Sequence, residues 1–514
     1  MTKINVVKKR ASNSTTTLIG LMFIVLMIIV LGQNQFFFNS RPHDSFITSS
    51  PHAINHQNNN GVEKSRSIIN CNRSHHFYDI CSINGPTIFD PIESTFYTTN
   101  NETNIIVEKI KPYPRKWENF TMGHIREFTL TTSPIGPPCL IHHEAQALVF
   151  SLGGYTGNFF HDINDGFIPL FITVNSLFPN QDFILVISKL EDWWVHKYKD
   201  LLQSFSKYPI IDIDKEINVT HCFPRATLGL MSHGFMTIDP KLTPSSKTLI
   251  NFHHFLATIY GTGQYQPQFQ SQHDQSQLQS QHGQFQPQHD QSQLQSQHDQ
   301  FQHQVQPQSQ HDQLQSQSQL HPQSQPLFEH QPQLRPRLIL TSRHDSIGRL
   351  ILNQDEVRSV AEQIGFEVIL FKPRKNTSLH ESFGLIHSSH AMIGVHGAAL
   401  THALFLRPNS IFIQIIPIGA EGVSDLCFGK LARGMNLVYE EYKIGVEESS
   451  LMEKFGKENN LVLKNPKALH GKVWSQEIMD IYLREQNINL NLNRFRIYLE
   501  KAYQKAKMFM AING

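Results

Sequence analysis

Cysteine and net charge are both scarce in this chain. Five cysteines in 514 residues are too few for a disulfide-built scaffold, although a bridge or two remains open. The 44 basic and 43 acidic residues leave a net charge of +1, so no overall basic field points to nucleic acid and no acidic excess to calcium storage. Several familiar spacings are absent as well: no Walker phosphate loop, no Gly-x-Ser-x-Gly elbow, no Cys-x-x-Cys and no His-Glu-x-x-His. One stretch of 71 residues, 264–334, has neither lysine nor arginine and consists mainly of Gln, Ser and His. It holds too few apolar residues to bury a core, so it reads as a disordered insertion. Gln272–His282 recurs there as Gln288–His298, without the apolar content a solenoid needs. Its eight histidines, 5 to 10 residues apart, lack the short spacing that fixes metal ligands on a helix face. A metal-buffering scaffold is the rival reading of that tract.

The N-terminus bears on the compartment. Lys3, Lys8, Lys9 and Arg10 precede an uncharged run whose apolar heart is Leu18 to Leu31, with no clear small-residue cleavage site after it. This reads as a signal anchor over 17–38 behind a cytosolic tail at 1–16, followed by a disordered stem at 39–70. A cleaved signal peptide is the alternative, and both place the remainder in a lumen or outside the cell. Asn72, Asn101, Asn119, Asn218 and Asn376 each open an Asn-x-Ser/Thr sequon, so glycans are expected there. In an oxidising lumen Cys71 is expected to pair with Cys81 and Cys139 with Cys222, leaving Cys427 as a small buried apolar residue.

About 370 residues remain to fold, enough for two domains of roughly 150 residues each. In the first half, Ala147–Leu152 reads as a strand and a Gly-Gly turn follows. An amphipathic helix then runs through Phe159, Phe160, Ile163, Phe167 and Leu170. Phe183–Ile187, a helix with Trp193, Trp194 and Tyr198, and a strand beginning at Ile210 continue the rhythm. In the second half, strands at Arg337–Thr341, Phe366–Phe371, Ala391–Val395 and Ser410–Ile416 alternate with helices at Asp355–Ile364 and Leu379–Ser388, and another helix starts at Thr401. Strand-then-helix repetition predicts an α/β protein of two lobes, 71–263 and 335–514, with the insertion at their junction and a cleft between them.

Three groups of residues have chemistry to offer. After the strand ending at Val395, His396, Gly397, Ala398, Ala399 and Thr401 form a small-residue loop whose amides suit a phosphate. Ser342 and Arg343 end a strand of the same sheet, and Arg349 follows, supplying cations for a diphosphate. In the first half, the Gly153–Asn158 turn leads into a helix on which His161 and Asp165 stand four residues apart, a spacing that lets a carboxylate orient an imidazole as a general base. Asp212-Ile213-Asp214 matches a metal-binding acidic triplet in form, but two aspartates flanking an apolar residue after a strand are common, and the arginines already supply cationic charge.

The stretches Gly153–Leu170, Trp193–Tyr198, His221–Arg225, Ser232–Pro240, Ala391–Leu406 and Tyr439–Leu451 resemble family 61 glycosyltransferases, in particular the plant Golgi branch that decorates xylan. The resemblance implies a single-pass type II Golgi membrane protein with two Rossmann-like lobes of GT-B type. The implied reaction is inverting transfer of a pentose, arabinofuranose or xylose, from a UDP-sugar to xylan, with no cofactor and no strict need for a divalent metal. It also implies that His161 and Asp165 act on the acceptor side, with Asp165 or His161 as base. Ser342, Arg343, Arg349 and His396 to Thr401 would then hold the donor. Trp193, Trp194 and Asn158 are the candidates for acceptor contact. Where the family pattern reads His-Gly-Ala-Gly this chain has Ala399, whose methyl would crowd a backbone approach to phosphate. The alternatives are action on a protein-linked glycan with a xylose or GlcNAc donor, and an inactive lectin-like homologue.

Overall fold

β-branched and aromatic runs separated by amphipathic segments form three sheets in the computed structural model, which describes residues 68–98, 105–133, 136–261, 334–343, 348–456, 461–470 and 475–513. The expected tail, anchor, almost all of the stem, all of the insertion but Leu334, and the Asn101 sequon lie outside these residues. Among the described residues no helix is long and apolar enough to cross a membrane.

The C-terminal half matches its expected pattern closely. Its sheet has five parallel strands in the order Glu367–Phe371, Arg337–Thr341, Ala391–Val395, Ile411–Ile416 and Val438–Lys443. Both Ala391–Val395 and Ile411–Ile416 are buried at every position, as central strands covered on both faces must be. Helix Gln354–Ile364 buries Val357, Val360 and Ala361 and packs, on the same side of the sheet, against the long C-terminal helix Leu492–Asn513. Each such fully buried aliphatic contributes about 1.5–3 kcal/mol relative to exposure.

The N-terminal half departs from a purely Rossmann-like lobe. Its first sheet runs Ile69–Asn72, Ile80–Ile83, Ala226–Leu228, Gln146–Ser151, Phe183–Ser188 and Ile211–Asp212, and only the last four strands are parallel. A second sheet, Val107–Ile110, Phe128–Thr132, Thr95–Thr98, Thr87–Asp90, His221–Phe223 and Ile141–His142, is mostly antiparallel and packs on the first through Phe89, Phe96, Phe128 and Leu130. Its strands are two to five residues long, too short to give a clear alternation. The stem boundary also moves, because the first strand begins at Ile69 rather than after residue 70. Both expected disulfides are present, Cys71–Cys81 and Cys139–Cys222, and Cys427 is free and buried.

From Arg66 onward the chain is one unit. Its largest apolar core runs from Leu148 and Phe150 of the first sheet through helix Leu249–Tyr260 to Ile339 and Met392 of the parallel sheet. The two α/β halves therefore share a core.

Candidate active site

The Gly-Gly turn after Gln146–Ser151 delivers the chain into the helix that carries His161. Asn158 caps that helix, its Oδ1 accepting from Phe160 N at 3.1 Å. From Asp162 to Phe167 the backbone widens into a π-helical turn, a device that re-aims side chains within a helix. His161 Nδ1 lies 2.8 Å from Asp165 Oδ2, so the expected pair is formed. Asp165 is enclosed, however. Arg115 Nε donates to the same oxygen at 2.9 Å, Tyr113 OH at 3.1 Å, and Asn164 Nδ2 to Oδ1 at 2.6 Å. Burial works against its charge, but the hydrogen bond from His161 and the Arg115 guanidinium hold its carboxyl below the usual carboxylate range. An ionised carboxylate only accepts, so it draws the imidazole proton onto Nδ1 and leaves the Nε2 lone pair available. This geometry engages both carboxylate oxygens of Asp165, whereas the side chain of His161 is 20% exposed.

Tyr113 explains the second glycine of the pair. A Cβ on Gly154 would sit 2.2 Å from its Cζ, so only glycine lets the phenol pass to Asp165. Arg115 is held beyond Asp165 by Glu118 Oε2 at 3.1 Å; its Nη2 lies 3.1 Å from His161 Nδ1 but, being a donor only, makes no hydrogen bond to that nitrogen while it carries the proton given to Asp165. Neither residue stands out in the sequence. Both lie in a Pro-Tyr-Pro-Arg segment about fifty positions from their partner, where no periodicity marks them.

Asp162, next to His161, meets the opposite environment. Burial raises its carboxyl above the usual range, although it accepts from Gly157 N at 3.1 Å, Tyr198 OH at 2.8 Å and Trp194 Nε1 at 3.3 Å. Trp194 is thereby corrected. It is 1% exposed and stacks on Phe167 at 5.1 Å, leaving no face for a sugar. Trp193 keeps 37% of its surface exposed, with Lys375 Nζ 5.6 Å from its ring.

In the other half, Arg343 and Arg349 converge on Gly397. A Cβ there would lie 2.0 Å from Arg343 Nη1 and 3.4 Å from Arg349 Nη1. Arg349 Nη1 donates to His396 O at 3.0 Å, while its buried Nε has no partner. Burial, with Arg343 and Arg484 nearby, brings Arg349 down to about 9. Burial, then Arg349 and Arg343, hold His396 at about 3, so its ring is neutral. Gln414 Nε2 donates to its Nδ1 at 3.1 Å, which places the ring proton on Nε2. Clustered cations beside an open backbone form a ready anion site. Ser342 is buried, its N bonded to Phe371 O at 2.9 Å. Ala398 and Ala399 are half-buried in the helical turn of Ala398–Phe405, which begins three residues before the expected start at Thr401. Thr401 is fully enclosed, its hydroxyl without a partner, so its side chain does not face a ligand.

The ring of Phe428 touches both groups, 5.7 Å from Phe160 and 5.3 Å from His396. Phe159 stacks on His402 at 4.2 Å alongside. The Asp212-Ile213-Asp214 carboxylates are engaged elsewhere, by Lys215 at 3.4 Å and Arg126 at 3.3 Å. Of the sequons, Asn72, Asn119, Asn218 and Asn376 are exposed.

Residues 159–413 match the Glycosyltransferase 61 family. A xylan glycosyltransferase of Arabidopsis thaliana is 36% identical over 85% of this chain and 80% of its own length. The chain belongs to glycosyltransferase family 61. An alpha-1,3-arabinosyltransferase of Oryza sativa subsp. japonica is 31% identical, covering 84% of this chain and 64% of its own, and a beta-1,2-xylosyltransferase of the same plant is 32% identical over 79% and 73%. As a family 61 glycosyltransferase the chain needs a base for an acceptor hydroxyl and a cradle for a leaving group. The family match spans both His161 and the His396–Thr401 loop. It stops short of Tyr113 and Arg115, which donate to Asp165.

Proposed function

We propose that this glycosyltransferase moves a pentose, arabinofuranose or xylose, from a UDP-sugar to xylan with inversion at the anomeric carbon. The half before the insertion takes the acceptor and the half after it the nucleotide sugar, in the manner of a GT-B enzyme. The observation that carries the reading is Phe428, whose one phenyl ring touches both Phe160 of the His161 helix and His396 of the His396–Gly397 loop. The names of the relatives, which include both an arabinosyltransferase and a xylosyltransferase, supply the pentose and the acceptor.

In this mechanism an acceptor hydroxyl oxygen attacks the anomeric carbon as His161 Nε2 takes its proton. The bond from that carbon to the diphosphate breaks, and UDP leaves with the electron pair. Asp165 holds the imidazole and steadies the imidazolium that forms, while Arg115 keeps Asp165 ionised. Arg343, Arg349, the His396 Nε2–H and the amides of Gly397 to Ala399 offset the charge growing on the diphosphate. These cations replace a divalent metal, so transfer should survive chelation. Trp193 stays a candidate for acceptor contact at the mouth of the cleft, and Asn158 acts by capping the His161 helix. We place the enzyme in the Golgi membrane as a type II protein with its catalytic part in the lumen, glycosylated at its exposed sequons.

The test is to incubate the full chain with UDP-arabinofuranose or UDP-xylose and a xylan oligomer, with and without a chelator, and to follow both pentosylated product and UDP. Turnover with one of the two donors is expected. Binding of oligomer and UDP without product would mark a lectin-like homologue instead.

A further inference from the structure

We infer that the xylan acceptor lies along a strip of aromatic side chains, Phe235, Phe77, Trp117 and His76, that leads away from His161. This rests on the proposed transfer to xylan and adds where the acceptor sits. The strip begins at the base itself, where the Tyr155 ring stacks on His161 at 4.4 Å. The Arg115 guanidinium continues it, its Cζ 5.1 Å from the rings of Tyr155 and Phe235 and 5.7 Å from that of Trp117. Trp117 in turn meets Phe235 at 6.0 Å, Phe77 edge-on at 5.1 Å and His76 at 5.8 Å.

Three segments far apart in the chain supply these rings, and none serves the donor. The loop that carries Phe235 is tied to the base: Met236 N donates to Asn164 Oδ1 at 2.7 Å, one residue before Asp165. This loop is the Ser232–Pro240 stretch, which donor chemistry leaves without a role. Trp117 keeps 37% of its surface exposed and His76 is exposed, a costly arrangement for a patch that only served packing. A pyranose ring offers apolar C–H faces and hydroxyl-bearing edges, so partly exposed aromatic rings such as Trp117 and the His76 stacked on it, with polar groups beside them, suit a sugar chain. Glu118 supplies the polar side. It accepts from Tyr155 OH at 3.0 Å and from Arg115 at 3.1 Å, and its side chain is 30% exposed with lone pairs to spare. A strip several rings long favours a chain of sugars over one.

The experiment compares the full chain with its Trp117→Ala, Trp117→Phe and Trp193→Ala variants, using xylo-oligosaccharides of two and six units as acceptors and UDP affinity as the check on folding. Trp117→Ala should raise KM for the six-unit acceptor about three-fold to ten-fold with kcat nearly unchanged, and should shrink the advantage of the longer acceptor. Trp117→Phe should restore most of it. An unchanged KM in a Trp117→Ala variant that binds UDP normally would overturn the inference alone, as would a rise confined to Trp193→Ala. Absence of any transfer to xylan oligomers by the unaltered chain would overturn the functional reading, and this inference with it.

Discussion

Gly397 offers a substitution whose effect on donor binding can be read beside its effect on folding. An alanine Cβ there falls 2.0 Å from Arg343 Nη1 and 3.2 Å from its Cζ. To regain ordinary van der Waals distance the guanidinium must retreat by about 1.5 Å. The displaced atom is the far end of a flexible side chain, so the fold can absorb its movement, but Gly397 itself holds φ +159° and ψ 169°, a conformation nearly confined to glycine, and the alanine adds a backbone cost of about 1–3 kcal/mol. A charge-assisted hydrogen bond cannot absorb that movement, because its useful range is only a few tenths of an ångström wide. Losing one such bond to a diphosphate costs about 1.5–3 kcal/mol, or about 10-fold to 150-fold in affinity. The assay is calorimetric titration of the Gly397→Ala chain with UDP beside a thermal melt. Weakened UDP binding by a chain that still unfolds cooperatively, at a somewhat lower melting point, is expected. A folded variant that binds UDP within two-fold of the unaltered chain would refute the placement of the diphosphate against Gly397.

Three further predictions concern stability. Asp165→Asn leaves the buried Arg115 with only Glu118 as a charged partner, so a loss of about 3 kcal/mol in denaturant unfolding is expected, together with loss of transfer. His396 and His402 both sit at about 3, well below the usual 6.5, so as pH falls below about 6.5 the unfolded chain takes up protons that the folded one refuses. The stability they provide is therefore full above that pH and declines below it, each histidine approaching about 1.4 kcal/mol per pH unit; a melting point unchanged between pH 7 and pH 5 would contradict this. Replacing Cys139 and Cys222 together by serine opens a bridge between residues 83 positions apart and should cost about 2–5 kcal/mol, measured by thermal unfolding.

The parallel sheet was legible because its strands are buried on both faces and read as unbroken apolar runs such as Ile411–Ile416. The second sheet was not, since strands like Ile141–His142 are two residues long and exposed. Their identity comes from pairing across the fold. In the site, the His161–Asp165 pair was visible because its spacing is local. The enclosure of Asp165 was not, because it depends on Tyr113 and Arg115, about fifty residues away. Trp194 misled because a Trp-Trp pair shows no difference in the sequence between the ring that stays partly exposed and the ring that packs on Phe167.

The most direct test of the central claim, that His161 acts on an acceptor held beside a nucleotide bound by the other half, is the rate of pentose transfer by His161→Gln with UDP affinity measured on the same preparation. The account predicts transfer lowered by about 100-fold to 10,000-fold with UDP affinity unchanged. Transfer within a few-fold of the unaltered enzyme, or a loss that appears only together with loss of UDP binding, would contradict it.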